Sequence, residues 1–229
     1  MTVLLRQLQS IADELLGRAL PVPAESLRRS RFVPDRPWSW CPRCGAGSPS
    51  VPHRCGDEGA PDCVVRLGAH RGPLRRWIVD VKHAGWEPMA ELLGALLARQ
   101  AVACGVVAPG EPDTVVVPVP TPFLRARSRG IAHAESIARA LARSASLRCV
   151  DALRQRHAGS QVRADGKHAR RAHRARFIPR WRSSVRVAGA HVLLVDDVRT
   201  TGSTLREAAS VLRALGAGRV TGLVLSVRE

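Results

Sequence analysis

The stretch His191 to Leu205, HVLLVDDVRTTGSTL, limits the folds open to this chain more than any other. Val192 to Val195 is an unbroken apolar, branched-rich run, the pattern of a strand buried on both faces of a parallel sheet. Asp196 and Asp197 follow at its carboxyl end, then Thr200, Thr201, Gly202, Ser203 and Thr204. Leu205, Ala208, Ala209, Leu212 and Leu215 then repeat at helical spacing. Open α/β sheets bind ligands at this kind of strand-to-helix junction. Backbone N–H groups at the helix start, neighbouring hydroxyls and a glycine that lets the backbone curl closely all suit a phosphate. The acid pair just before the turn can accept hydrogen bonds from a diol. Together these features suit a 5-phosphoribosyl group.

Other readings of the stretch fail on specifics. No Gly-Lys-Ser/Thr follows the turn, so it is not a Walker loop, and no G-x-G-x-x-G supports a dinucleotide fold. LLVDD also resembles the first strand of a receiver domain, but the 32 residues after Asp197 are too few to complete one. A capped helix after a buried strand explains the threonines and the glycine but not adjacent aspartates.

At 229 residues, the expected division is a small module over residues 1–63 and a main domain over 64–229. Lys and Arg number 36 against 19 Asp and Glu, a net charge of +17 that favours polyanionic ligands. Only two of those bases, Lys82 and Lys167, are lysines. No apolar run reaches the roughly 18 residues of a membrane helix. Leu4, Leu8, Ile11 and Leu15 instead mark an amphipathic N-terminal helix broken by charges, not a signal peptide, so the chain reads as cytoplasmic. Cysteines in such a compartment serve metals or cores before disulfides.

Pro21 to Trp40 reads as a basic, proline-containing connector. Cys41, Cys44, Cys55 and Cys63 follow, and C-x-x-C-Gly at 41–45 is the usual zinc knuckle. The second half is irregular: seven residues separate Cys55 from Cys63, and His53 is a competing ligand. The expectation is one structural Zn²⁺ on the four cysteines, with His53 as alternate; exposed, unligated thiols are the other reading. Cys104 and Cys149 lie in apolar surroundings and are expected in the core.

From Val64 to Ala103 two helical patterns appear, one on Leu74, Trp77, Ile78 and Val81, the other on Met89, Leu92, Leu93, Leu96 and Leu97. Lys82 stands where arginine would be this chain's default, which points to a compact ammonium, although a solvated charge at a helix C-terminus explains it equally. Thr114 to Val117 is a second buried strand, ending in Pro118-Val119-Pro120-Thr121, a stiff loop at the sheet's carboxyl edge. Arg125, Arg127 and Arg129 precede a helix from His133 to Arg143, and Leu147 to Leu153 reads as a third strand. Arg154 to Arg182 carries ten Lys or Arg, three His and one acid, without sustained apolar periodicity. Val220 to Val227 supplies a closing strand.

VLLVDDVRTTGST resembles the signature of the type I phosphoribosyltransferases: four apolar residues, two acids, then Thr-Thr-Gly-x-Thr. The order of features further resembles the ComF family of competence-associated, phosphoribosyltransferase-like proteins, through Cys41/Cys44, Lys82, VPVP at 117–120, RGIAHAE at 129–135, Gln161 with Arg170, and the signature itself. The family's Asn-Gln is Ala132-His133 here, and its later Asn is His173. The resemblance implies a type I phosphoribosyltransferase-like open parallel sheet with flanking helices and an N-terminal zinc knuckle. It also implies that Asp196 and Asp197 bind the ribose hydroxyls and that Thr200 to Thr204 cradle the 5-phosphate. Val117 to Thr121 would form the pyrophosphate loop and 154–176 a flexible loop over it, with Val119, Pro120, Thr121, Lys82 and Arg129 as substrate contacts. The implied activity is displacement of pyrophosphate from Mg²⁺-bound phosphoribosyl pyrophosphate by an acceptor that the family does not fix. A rival reading is a non-catalytic DNA-uptake accessory protein that binds single-stranded DNA, and other uptake proteins, through the arginines of 125–129 and 154–176. A third is a zinc-knuckle adaptor for a protein partner.

Overall fold

The computed structural model describes residues 22–50, 55, 59–120, 133–155, 177–181 and 183–228. Among them, five strands form one parallel sheet in the order β1-β7-β6-β2-β3: β1 Cys63–Ala69, β2 Thr114–Pro118, β3 Arg148–Cys149, β6 His191–Arg199 and β7 Arg219–Val227. The chain leaves β2 toward β3 and leaves β6 toward β7, in opposite directions. The β2/β6 junction is therefore the switch point at which doubly wound sheets bind ligands.

Helices cover both faces. On one lie α2 (Gly72–His83), α3 (Glu87–Ala103) and α4 (His133–Ser144), whose Trp77, Leu93 and Ile137 share a core with Leu193 and Val195 of β6. On the other lies α6 (Ser203–Ala214), where Leu205, Ala208, Ala209 and Leu212 meet Val192 and Leu194. Alternate residues of β6 thus serve opposite faces, and all four of Val192 to Val195 are fully buried. A short antiparallel pair, β4 (Leu153–Gln155) with β5 (Phe177–Pro179), and α5 (Ser183–Val187) complete the described elements.

Four local expectations change. Pro23–Ser30 of the expected connector is a helix, α1, opened by a proline at its first position and closed by Arg31 in the left-handed region. Cys63–Ala69 is a full strand; Arg66 at its centre interrupts the apolar pattern that would have announced it. That arginine is buried because Asp35 (2.9 Å) and the Gly45 carbonyl (2.8 Å) pair with it and the Trp40 ring lies beneath it. The single strand expected over 147–153 divides, since the chain leaves the sheet after Cys149 and re-pairs with β5. Cys149 is exposed on that edge strand, whereas Cys104 is buried as expected.

Residues 32–46 wrap the β1 edge. Val64 N–H donates to the Pro42 carbonyl (2.7 Å), and Trp40 Nε1 and Asp35 N–H donate to the carbonyls of Val64 (2.8 Å) and Leu67 (2.7 Å). An edge strand occupied in this way is not available to another chain's strand.

Candidate functional site

The acid pair sits at the carboxyl end of β6, where the strand passes from full burial to partial exposure. Asp197 Oδ2 lies 2.7 Å from Lys82 Nζ, which reaches across from the last turn of α2. The two side chains are 16% and 24% exposed, so the pair is substantially shielded from water. Beyond it the chain turns through Thr200 and Thr201 to Gly202, whose φ of 81° is left-handed and which forms the N-cap of α6. A side chain there would be strained and would also meet the Arg199 guanidinium at 3.1 Å. Thr201 and Ser203 join through their hydroxyls at 3.1 Å, and Ser203 N–H donates to Thr201 Oγ1 at 3.4 Å. The turn therefore places hydroxyls and a helix N-terminus together, an arrangement that favours an anion.

The proline loop joins β6 across the switch point. Val119 N–H donates to the Val195 carbonyl at 2.8 Å, which sets Val119 and Pro120 beside the acid pair. Lys82, Val119, Pro120, Asp196, Asp197 and the 200–204 turn thus come together at one edge. Thr121, Arg129 and the 125–129 arginines lie outside the described residues, as do Gln161, Arg170 and all but two residues of the 154–176 loop.

His70 also belongs to this edge, and the sequence carries no signal for it because it directly follows β1, whose apolar pattern is broken at Arg66. Its Nδ1 stands 2.8 Å from the hydroxyl of buried Ser226. Burial first, and then the charges of Arg228, Lys82 and Arg75, hold its pKa below the usual histidine value, against an opposite pull from Asp197. The shift favours the neutral imidazole beside a cationic rim.

The cysteines give a second cluster. The sulfurs of Cys41, Cys44 and Cys55 all lie within 4.8 Å of one another, with Cys41 and Cys55 at 3.6 Å. Thiolates bound at about 2.3 Å to one tetrahedral zinc would stand about 3.8 Å apart, so the set fits zinc. Burial raises the Cys41 thiol, but N–H groups of Cys44 and Arg43 and the thiols of Cys55 and Cys44 bring it down to about 7. Burial and the adjacent Cys41 and Cys44 push Cys55 up to about 11. A divalent ion would relieve that repulsion. Cys63 does not join the other three: as the first residue of β1 it packs into the core, with Sγ 3.6 Å from Thr221 Oγ1. The expected four-cysteine set is corrected to three cysteines among the described residues, and His53 lies outside them.

With this geometry in place, residues 108–227 match the phosphoribosyl transferase domain family over the whole of the β2-to-β7 region. The chain belongs to that family. It is also 29% identical over 194 residues to the DNA utilization protein YhgH of Salmonella typhi, covering 80% of this chain and 81% of that protein. Among solved structures it resembles glutamine phosphoribosylpyrophosphate amidotransferase from B. subtilis complexed with ADP and GMP, at 23% identity and a TM-score of 0.41. The allosteric regulatory enzyme of purine biosynthesis matches with the same values. In both cases 59% of this chain is covered, and it spans only 25% of the larger proteins. No described helix is long and apolar enough to cross a membrane.

Proposed function

We propose that this phosphoribosyltransferase-domain protein binds phosphoribosyl pyrophosphate and transfers its phosphoribosyl group, and that it is a ComF-type member of the family. The observation that carries this reading is the meeting of Asp196, Asp197 and the Thr200–Thr204 turn with the Val119–Pro120 loop at the switch point. In this reading the turn takes the 5-phosphate and the two carboxylates accept the ribose 2′- and 3′-hydroxyls. Lys82 holds Asp197 through Oδ2 and keeps further N–H donors for a phosphate oxygen. The C1′–O bond to pyrophosphate breaks as an acceptor's lone pair bonds C1′. The chain's contribution is to position the ribose and to stabilise the charge that develops, with no strong base required. Asp196 and Asp197 are hard oxygen donors suited to Mg²⁺, which when bound neutralises the leaving pyrophosphate. Titration calorimetry with Mg²⁺ and phosphoribosyl pyrophosphate tests the reading. Asp197→Asn should weaken binding about ten- to a hundredfold, the loss of one charge-assisted hydrogen bond of roughly 1.5–3 kcal/mol. Unchanged affinity in a folded variant would remove the acid pair from the site.

Trp181 supports a second reading, a single-stranded DNA accessory. It is 90% exposed, follows Arg180 and belongs to a chain of net charge +17, and the relative named for DNA utilization matches most of the chain. An exposed indole among arginines is a surface on which bases stack. Affinity for an oligothymidine should fall with log salt at a slope of about −0.7 per phosphate contacted. Trp181→Ala should weaken it, and an absence of binding at low salt would end this reading.

A further inference from the structure

The cysteine knuckle and the phosphate turn share a cleft. It measures about 40 Å³, with Arg43 and Cys44 on one wall and Arg199, Thr201, Gly202 and Arg206 on the other. Three guanidinium-bearing residues and no carboxylate line it among the described residues. Such a lining complements an anion. The knuckle is held here by close contact with the sheet: a Cβ on Gly45 would stand 2.8 Å from Val64 Cγ1 and 3.3 Å from Val227 Cγ2. That lays the segment on the α6 face of β1 and β7, beside the first turn of α6. Arg43 is exposed between the two buried cysteines Cys41 and Cys44, and its own N–H bonds the Cys41 thiol. Its backbone position is therefore set by the same atoms that fit a metal.

We propose that Arg43 is a phosphate-binding residue of the Thr200–Thr204 turn, and that a metal on Cys41, Cys44 and Cys55 holds it in position. The ligand class is a phosphomonoester, the 5-phosphate of a ribose phosphate, so the proposal rests on reading the turn as a 5-phosphate site. A phosphomonoester offers two or three strong acceptors to a guanidinium fork, and the fork loses less freedom when its backbone is already fixed. Arg199, whose guanidinium packs against Gly202, lines the same cleft.

Ribose 5-phosphate is the probe, because it carries no pyrophosphate and reports on the turn and the acid pair alone. Calorimetric titrations of the full zinc-loaded chain would compare wild type, Arg43→Ala and Arg43→Lys, with zinc content measured on each sample. Arg43→Ala should bind about tenfold more weakly at unchanged zinc content, as for loss of one charge-assisted contact at a partly exposed site. Arg43→Lys should recover part of that, since a point charge remains but the fork is lost. Zinc removal by a chelator should lower wild type to the affinity of Arg43→Ala, with recovery on zinc return, and should change Arg43→Ala little further. Equal affinity of wild type and Arg43→Ala would overturn the assignment of Arg43. Equal losses on chelation in both backgrounds would overturn the metal's part in it. If wild type binds phosphoribosyl pyrophosphate but not ribose 5-phosphate, the turn is not a 5-phosphate site and this proposal falls with that assignment alone. If it binds neither, the functional reading fails as a whole.

Discussion

His191 begins the central strand with a ring that is half-buried and held by its Nε2 at 2.9 Å from Thr221 Oγ1. Burial, followed by the nearby Arg219 charge, lowers its pKa from the usual histidine value. The unfolded chain takes up a proton near pH 6.5, whereas the folded chain resists protonation to lower pH. Between those two values the unfolded state binds more protons, so this contribution to stability is present above about pH 6.5 and is lost as pH falls through that window. His70, lowered in the same direction, adds to the effect. Thermal unfolding at pH 7.5 and 5.5 should therefore show a fall in Tm, and His191→Gln, which keeps a polar group for Thr221, should reduce that fall. An unaltered pH dependence in the variant would mean that His191 does not contribute to it.

Among the described elements, α3 and α4 pack in close contact at Gly94. A Cβ built on Gly94 would stand 2.5 Å from the Ile137 carbonyl oxygen and 2.7 Å from Ala140 Cβ. In an isolated helix, Gly→Ala stabilises by about 1 kcal/mol. Here the added methyl meets the backbone of a packed neighbour, which cannot rotate away, and overpacking of this kind costs about 1–3 kcal/mol. The clash outweighs the propensity, so Gly94→Ala should lower the urea midpoint; a raised midpoint would show that the helices separate easily. The contact also bears on the candidate site, because α3 follows α2, which carries Lys82.

At the scale of the described molecule, residues 32–46, the β1 edge and the Thr200–Thr204 turn form one continuous structure. Trp40 is fully buried with the helices of one face, while Ala46 packs with the core of the other. Arg66 ties both ends of that crossing to β1 through Asp35 and the Gly45 carbonyl. Metal analysis of protein purified without added metal should give about one zinc per chain, as a structural site of this ligand set implies. Cys55→Ser should lose that zinc and lower Tm, whereas Cys63→Ser should keep it, since the Cys63 sulfur lies in the core beside Thr221. Zinc lost from Cys63→Ser and retained by Cys55→Ser would reverse the ligand assignment.

The parallel sheet and the acid-pair turn were legible from residue order because each depends on neighbours in sequence. A branched apolar run, two acids and a glycine that must adopt positive φ are local facts, and β6, its turn and α6 follow from them. The patterns of α2, α3, α4 and β7 were local in the same way. What the sequence could not express was compensation between distant groups. β1 was hidden because Arg66 breaks its apolar run, and only Asp35 and Gly45, brought alongside by the fold, make that arginine tolerable inside. Cys63 has the spacing of a knuckle ligand, yet strand pairing with Thr221 directs it away from the other three sulfurs. Lys82 was legible as an oddity of composition; that its ammonium meets Asp197 depends on α2 packing against the sheet. The nearness of Arg43 to Thr201 and Gly202 spans more than 150 residues of chain and exists because the knuckle crosses the β1 edge onto the face that carries α6.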